Sequence, residues 1–367
     1  MDFAFTQEQD MLRDSVARYL DKNYDFDTRK AIVASDDAWS SEVWAQFAEL
    51  GLLALPFSEH HGGLGGSISD CVAFAQSLGK HLVVEPYAHA IMLAGSALEA
   101  SDSPIAAEWI ENLASGEAVI ALAYEEGRGT GSPRHIAMVA DQQDDGFRLT
   151  GEKRFVVAGA EADAILVAAR MNADGPVALF LVDPATPGLT ISSYTAIDGR
   201  SAASLRFEGV ALGAEAIMLE DATAALHQAL AKAIIVQAAE AVGAMAALLA
   251  ISGEYAMTRK QFGQPIAMFQ SIAHRLADMK IAYTKALSTL TYTAALANSG
   301  AESGRDIAVL KGQVGKLGRD IGESAIQIHG GLGLTDELNV GHYHKRLLAF
   351  DTQLGDHNYH FRLLGQP

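Results

Sequence analysis

The chain has 367 residues, of which 49% are hydrophobic and 20% are charged, and its formal net charge is −18. This length predicts two or three domains, and this composition is that of a globular protein able to bury a large core. Nucleic acids and anionic membranes require a basic face, so we expect neither as a partner of so acidic a chain.

The chain contains a single cysteine, Cys71, which excludes an intrachain disulfide framework and a cysteine-based metal site. Its first residues lack the basic start and apolar run of a secretory signal, so we expect a cytoplasmic protein. One apolar run, 233–251, approaches the roughly 20 residues that a membrane-spanning helix needs. Because Gln237 and Glu240 interrupt this run, we interpret it as a helix buried in a soluble bundle.

Residues 1–117 are predicted to be helical. Thr6 followed by Gln9 has the spacing of a capping box at a helix start. Further along, a glycine-rich loop contains the adjacent residues His60 and His61. Adjacent side chains point apart and no group of carboxylates joins them, so we expect a solvated loop and no metal site.

Residues 118–220 have a different pattern, in which short β-rich runs alternate with turns. Asp145-Gly146 is a strong signal for a hairpin turn between two of these runs. Closely spaced strands without intervening helices predict an antiparallel sheet or a small barrel. The sequence contains neither G-x-G-x-x-G nor a P-loop, so the common nucleotide-binding fingerprints are absent.

Residues 221–367 are again predicted to be helical. Apolar residues recur three and four positions apart from Ile307 to Ile328, as in a helix of a four-helix bundle. This helix runs into a glycine pair that ends it and lets backbone approach a ligand. The sequence therefore predicts an α+β protein with an N-terminal helical domain (1–117), a central antiparallel β domain (118–220) and a C-terminal four-helix bundle (221–367).

The most informative stretch is T-R-K-Q-F-G-Q-P-I-A-M-F-Q-S, residues 258–271. It combines a cation at Arg259, an amide at Gln261, an aromatic ring at Phe262 and a glycine that lets backbone come close. These groups suit a phosphate that lies beside a ring. The same glycine and the following proline would also end a helix, so a helix cap explains part of the pattern.

Taken together, these motifs resemble the acyl-CoA dehydrogenase family of flavoproteins over nearly the whole chain. The matching runs are F-x-F-T-x-E-Q (3–9), G-G-L-G (62–65), R-x-Q-F-G-x-x-I-x-x-F-Q (259–270) and Q-I-H-G-G-x-G (327–333). The resemblance implies FAD at a dimer interface and a catalytic carboxylate that removes the α-proton of an acyl-CoA thioester. It also implies that the electrons leave through an electron-transferring flavoprotein.

The resemblance further implies which residues contact FAD. Residues of the run 259–270 would contact the FAD of the neighbouring subunit, and residues of the run 327–333 would close round its ADP half. The residues implied for the first role are Arg259, Gln261, Phe262, Phe269 and Gln270, and those for the second are Gln327, Gly330 and Gly331.

The chain departs from the family where the catalytic base is expected. The usual Glu follows an Arg that matches Arg346, and it would fall at Gly355 or Leu354. Some members carry the base instead at the position of Ala233, which is also apolar here. Asp356 is the nearest carboxylate and the remaining candidate, although the end of a polar helix would also explain it.

The segments that match the flavin-ring side are altered as well. The family's W-I-T run corresponds to Phe155-Val156-Val157, and valine keeps the shape of threonine but loses the hydroxyl hydrogen bond. The family's T-E-x-x-A-G-S-D loop corresponds to residues 124–131, in which Arg128 replaces a small residue. These changes predict that the chain's own flavin and acyl pocket is impaired.

The sequence therefore predicts an FAD-dependent acyl-CoA dehydrogenase subunit that completes the FAD site of a sister chain and lacks the usual Glu. It resembles the small subunits of heteromeric members that act on pimeloyl-CoA or steroid side chains. One alternative is a self-sufficient homo-oligomer, a dimer or tetramer, that uses Asp356 or another base. Others are a catalytically silent scaffold subunit and a flavin oxidase or monooxygenase on the same fold.

Overall fold

The computed structural model describes residues 5–127 and 135–365. The elements follow the predicted order of helices, sheet and helices along the chain. The N-terminal elements are α1 (Gln7–Asn23), α2 (Phe26–Val33), α3 (Ser41–Glu49), α4 (Ile68–Lys80), a π-helical segment (Tyr87–Gly95), α5 (Ser96–Leu98) and α6 (Pro104–Ser115).

Helix α1 begins with the predicted capping box. The Thr6 hydroxyl accepts a hydrogen bond from the Gln9 N–H at 3.3 Å, and the Gln9 side chain accepts one from the Thr6 N–H at 3.0 Å. His60 and His61 lie in a single 3-10 turn, Glu59–His61. Across residues 5–127 and 135–365, no three metal-binding side chains come together.

Eight strands form one sheet in the order β6-β7-β3-β2-β4-β5-β8, with β1 beside β4. They are β1 (Ile120–Ala123), β2 (Val139–Gln143), β3 (Gly146–Val157), β4 (Ala164–Arg170), β5 (Val177–Val182), β6 (Leu189–Thr195), β7 (Ser201–Gly213) and β8 (Ile217–Leu219). Most pairs are antiparallel, as predicted. However, β1 runs parallel to β4, and β2 also meets β4 in parallel.

The predicted hairpin joins β2 and β3, but its turn lies one residue earlier than expected. Gln143 pairs with Gly146, so the two turn residues are Asp144 and Asp145. Gly146 is instead the first residue of β3. A Cβ atom there would lie 2.0 Å from the carbonyl oxygen of Leu212 on β7. The glycine therefore permits close strand approach and does not form the turn.

The C-terminal part consists of long helices and one small hairpin. Its elements are α7 (Thr223–Thr258), β9 (Lys260–Gln261), β10 (Gln264–Pro265), α8 (Gln270–Asn298), α9 (Gly304–His329), α10 (Asn339–Thr352) and α11 (His357–Leu364). Helix α7 is long and apolar enough to cross a membrane by length and composition, but 72% of its most apolar window is buried. This is the burial of a core helix.

Small residues let α4 and α7 pack with their backbones in contact. A Cβ atom on Gly79 would lie 1.8 Å from the carbonyl oxygen of Glu240, and one on Gly243 would lie 1.9 Å from that of Gln76. Any larger side chain at either glycine would force the two helices apart. The Ala- and Gly-rich sequence of α7 is therefore explained by packing against protein.

The chain divides into two compact units. The bundle unit comprises Met1–Lys30, Ile68–Val83 and Ile234–Pro367, and the sheet unit comprises Ala31–Ser67 and Val84–Ala233. The predicted three-domain division stays a prediction.

Candidate functional site

The stretch predicted to bind FAD forms a tight hairpin at the end of α7. Lys260 pairs with Pro265 and Gln261 pairs with Gln264, so Phe262 and Gly263 form a two-residue turn. Both turn residues have positive φ, +52° and +82°, as a type I′ turn requires. Gly263 therefore serves the hairpin turn and not a cap of α7, which was the alternative that the sequence left open.

The Phe262 side chain is the most exposed large apolar group described, at 92%. Its ring touches Phe269 edge to face, with ring centroids 6.1 Å apart. A phenylalanine at positive φ is strained, and here its ring gains little burial in return. A strained residue whose apolar side chain is exposed indicates a binding position, where a ligand or another chain would cover the ring.

Arg259, Gln261 and Gln270 are also exposed around this hairpin. The backbone of Arg259 is fixed at both ends, since its N–H donates to Tyr255 and its carbonyl accepts from Ile266, each at 2.8 Å. In residues 5–127 and 135–365, its guanidinium has neither an ion pair nor a hydrogen bond. The hairpin therefore presents an unpaired cation on a rigid support.

The second predicted segment lies at the end of α9, and the structure joins it to the first. His329 is buried and its ring stacks on Tyr255 at 4.4 Å. Tyr255 is four residues before Arg259, and His329 is two residues after Gln327. A second link runs from Arg275 on α8 to Ser324 on α9, at 3.4 Å. Both segments thus belong to one part of the bundle unit.

The glycines at the end of α9 leave open space beside the backbone. Gly330 has φ +61° and ψ −141°, a combination that few residues other than glycine adopt. A Cβ atom added to Gly330 or to Gly331 would meet nothing within 4 Å. Gln327, Gly330 and Gly331 are all exposed. This leaves free space beside the backbone of the two glycines, and the FAD contacts of these three residues stay a prediction.

Asp356 has a structural role in this fold. It is the N-cap of α11, and its carboxylate accepts a hydrogen bond from the Tyr359 N–H at 2.7 Å. Burial opposes its ionisation, but this hydrogen bond and nearby charges outweigh burial and hold the pKa of Asp356 below its usual value. A lowered pKa makes the carboxylate a weaker proton acceptor. Its role as base therefore stays a prediction with little geometric support.

The turn that would carry the usual base is an internal structural turn. Leu354 and Gly355 both have positive φ, and both are buried. The Gly355 carbonyl accepts from the fully buried Lys311 ammonium at 2.7 Å, and the Leu354 carbonyl accepts from His360 Nε2 at 2.9 Å. Burial lowers the pKa of His360 to about 4, so the ring is neutral near pH 7. At the other base position, Ala233 is completely buried.

Sequence reasoning missed an Asp–His pair beside this turn. His357 Nδ1 lies 2.8 Å from the buried carboxylate of Asp351. A Cβ atom on Gly315 of α9 would lie 2.4 Å from that carboxylate, so a glycine is needed there. A carboxylate that holds Nδ1–H leaves Nε2 as a proton acceptor, the arrangement of many general bases. The spacing of the two residues alone gave no signal for this pair.

The flavin-side segment Phe155–Val157 lies at the end of β3, where its pairing with β7 shifts register after Lys153. Phe155 has φ +55°, and Val156 and Val157 are buried. The valine side chains offer no hydroxyl, as the sequence predicts. Arg128 lies outside the described residues.

A buried ion pair next to this segment was also missed. Lys153 is fully buried and lies 2.7 Å from Glu126, which also accepts from the N–H groups of Ala137 and Met138. Burial lowers the pKa of Lys153 to about 8, while Glu126 acts in the opposite direction. The alternation of side chains along β3 could have predicted that Lys153 is buried, because it places Lys153 on the same buried face as Phe147 and Leu149.

Models of the N-terminal, middle and C-terminal domains of acyl-CoA dehydrogenase match residues 6–117, 121–210 and 222–366. The probable acyl-CoA dehydrogenase YngJ of Bacillus subtilis is 30% identical over 93% of this chain and 92% of its own. Acyl-CoA dehydrogenase FadE27 of Mycobacterium tuberculosis is 26% identical over 100% of this chain and 98% of its own.

Solved structures share the fold over its full length. A crystal structure of the ChsE4-ChsE5 complex from Mycobacterium tuberculosis matches with a TM-score of 0.90 at 26% identity, and the match covers 100% of this chain and 98% of that one. The predicted α+β fold, with N-terminal helices, a central sheet and C-terminal helices, is confirmed. The chain belongs to the acyl-CoA dehydrogenase family of FAD-dependent oxidoreductases.

Proposed function

We propose that this chain is a subunit of a hetero-oligomeric acyl-CoA dehydrogenase and completes the FAD site of a sister chain. One contrast within the bundle unit carries this proposal. The segments 259–270 and 327–331 expose most of the residues assigned to FAD, and the stacked rings of Tyr255 and His329 join them. The turn at Leu354 and Gly355, in contrast, has no carboxylate and is occupied by internal hydrogen bonds.

The residues of this surface fit FAD, which when bound supplies a ring that accepts hydride. The guanidinium of Arg259, which has no partner among the described residues, suits the pyrophosphate, to which it can make charge-assisted, bidentate hydrogen bonds. The exposed amides of Gln261 and Gln327 can donate to and accept from ribose and adenine groups. The open space at Gly331 lets backbone approach the nucleotide.

The apolar part of the surface suits contact with a second chain as well as with the cofactor. Phe262 and Met268 in the first segment, and Leu334 three residues after Gly331, are each more than half exposed. Where such side chains form one patch, they mark an interaction surface. In the ChsE4-ChsE5 structure, two different proteins form the complex. That relative supports a hetero-oligomer here.

We further propose an acyl-CoA thioester as the substrate of the assembled enzyme and an electron-transferring flavoprotein as its electron acceptor. An α-C–H bond of a thioester is weakly acidic and needs a positioned general base. Since neither base position of this chain holds a carboxylate, the sister chain would supply it. The single cysteine fits the cytoplasmic location expected for such an enzyme.

Flavin stoichiometry tests this proposal. The chain is purified alone and after co-expression with a sister chain from a neighbouring gene, and FAD is quantified by its absorbance. We expect no retained flavin in the chain alone and about one FAD per pair, because each complete site needs residues of both chains. One FAD per chain in the isolated protein, bleached by acyl-CoA, would contradict the proposal.

A second candidate function, the self-sufficient homo-oligomer, is favoured by the Asp351–His357 pair. Substitutions Asp356→Asn and His357→Gln separate the two candidates in assays of acyl-CoA-dependent dye reduction. On our proposal both variants keep most of the activity of the assembled enzyme, since the base belongs to the sister chain. A loss of about 100-fold or more in kcat for one variant alone would identify that residue as the base.

A further inference from the structure

One edge of the eight-stranded sheet is open. Strand β6 (Leu189–Thr195) is the last strand in the sheet order, and it pairs with β7 on one side. Among the residues that the structure describes, no strand pairs with its other side. The open side of an edge strand carries unpaired N–H and C=O groups, so it can bind a further strand.

The hydrogen bonds at the two ends of β6 show which backbone groups are open. The Gly188 carbonyl accepts from the Glu208 N–H at 2.9 Å, and the Ala196 N–H donates to the Arg200 carbonyl at 2.8 Å. The register between these two bonds has no shift, so the residues of β6 that bond to β7 are the even-numbered ones. Three odd-numbered residues therefore direct their N–H and C=O groups away from β7: Ile191, Ser193 and Thr195.

The edge lacks the features that protect most edge strands. Natural proteins block such edges with charged side chains, prolines, β-bulges or very short strands. Strand β6 has seven residues, with no shift in register and with neither a proline nor a charged residue. Its last four residues, 192–195, are all exposed. A regular, uncharged and exposed edge indicates that another strand covers it.

The absence of charge extends beyond the strand itself. No residue from Pro184 to Ile197 is charged, although 20% of the residues of the whole chain are. On β7, Arg206 lies 2.9 Å from Glu208, so these two residues add no net charge beside the edge. Two copies of a chain with a net charge of −18 repel each other at long range. The edge of β6 is a place where two copies can meet without adding local repulsion.

We propose that β6 pairs antiparallel with β6 of a second copy of this chain, about a two-fold axis at Ser193. The open groups then match, because Ser193 faces Ser193 of the second copy and Ile191 faces its Thr195. The ring of Tyr194, which is 41% exposed, would lie opposite Ser192 of the second copy. Cross-strand contacts of β-branched and aromatic side chains stabilise such a pair.

This contact goes beyond the proposed function and does not depend on it. Strand β6 belongs to the sheet unit, whereas the exposed surface around Arg259 belongs to the bundle unit. The β6 pair therefore requires neither FAD nor a base in this chain. It would join two copies of the assembly that the proposed function describes.

Sedimentation velocity of the purified full-length protein, with its partner chain where it has one, tests the pairing. One pair of short strands buries less area than a standard interface, so we expect a weak association, with a Kd of roughly 10–100 μM. The mass of the assembly should double as the protein concentration rises through this range.

Two variants and their mixture test the two-fold axis. Ser193→Lys and Ser193→Glu should each abolish the doubling, because two like charges would meet at the axis. An equimolar mixture of the two variants should restore it, since opposite charges then face each other. Gln142→Lys, which adds the same charge at an exposed position of the inner strand β2, should leave the doubling unchanged.

Amide hydrogen exchange reports on the strand directly. In the unmodified protein, peptides that contain 189–195 should exchange more slowly at high protein concentration than at low concentration, and in Ser193→Lys they should not. FAD content is measured on every preparation and should be the same in Ser193→Lys and the unmodified protein. A failure of the FAD proposal is therefore seen separately.

Three results would overturn the pairing. The first is an equal mass of the unmodified protein and Ser193→Lys at every concentration. The second is a mixture of Ser193→Lys and Ser193→Glu that keeps the lower mass. The third is slow exchange of β6 at every concentration when the partner chain is present, which would assign the edge to that chain.

Discussion

Single residues decide how this chain differs from the pattern of its family. At the base position, Leu354 and Gly355 form a buried turn that is held by Lys311 and His360. The sequence was sufficient to predict the missing carboxylate, because that depends only on residue identity. The hydrogen bonds of the turn could not be predicted, since their donors lie far away in the sequence or on the next helix.

The Glu126–Lys153 pair shows the same limit. The alternation along β3 places Lys153 on the buried face, but its partner comes from a segment 27 residues away. The sequence alone cannot show that these residues meet, because the contact depends on how the strands are ordered in the sheet. Their separation in the chain also explains why sequence reasoning assigned Glu126 no role.

The buried lysine makes stability depend on pH with a definite sign. Burial lowers the pKa of Lys153 from 10.5 to about 8. Between these values the unfolded chain binds more protons at this residue than the folded chain does, so this residue makes stability rise with pH. The cost of the buried charge is present in full below the folded pKa and is relieved above it.

We therefore expect the unfolding free energy of the unmodified protein to increase relative to that of Lys153→Met as the pH rises from about 7.5 to 9.5. Urea denaturation at both pH values measures the difference. Lys285→Met, at an exposed position, should follow the unmodified protein. If the unfolding free energy of the unmodified protein minus that of Lys153→Met stays constant or falls over this range, the lowered pKa of Lys153 is contradicted.

At the scale of elements, the helices were predicted better than the connections between them. The capping box of α1 and the apolar spacing of α9 are local patterns, and both helices form where expected. The hairpin after α7 was not predicted, because F-G is a rare sequence for a type I′ turn. The parallel pairing of β1 with β4 likewise depends on distant residues.

The unusual turn predicts that one substitution in it would raise the stability of the protein and weaken its binding of FAD. Asn is favoured over Phe at positive φ, so Phe262→Asn should relieve strain and raise the unfolding free energy by about 1 kcal/mol. The same substitution removes the exposed ring, so the assembled enzyme should retain less FAD. Urea denaturation and flavin absorbance measure the two effects.

Gly263→Ala is the matched control for this turn. A Cβ atom there meets nothing within 4 Å, so the variant tests backbone strain at φ +82° alone. We expect it to lower the unfolding free energy by about 1 kcal/mol. If Phe262→Asn instead destabilises the protein and leaves FAD retention intact, the ring has a packing role and not a ligand-binding one.

At the scale of the whole molecule, the two compact units contain different functional features. The bundle unit holds the exposed surface around Arg259, and the sheet unit holds the altered flavin-side segment. A chain with a net charge of −18 repels anions at long range. An anionic ligand therefore depends on a local cation, and Arg259 is the cation that we assign to FAD.

The central claim is that Arg259 binds FAD held at a neighbouring chain. It is tested by the FAD affinity of the assembled enzyme, measured by flavin fluorescence after removal and titration of the cofactor. Arg259→Ala should weaken FAD binding by about 10-fold or more, the loss of a charge-assisted hydrogen bond. Arg319→Ala, which removes an exposed arginine of α9 paired with Glu323, should leave it unchanged. Equal FAD affinity in Arg259→Ala and the unmodified enzyme would contradict the claim.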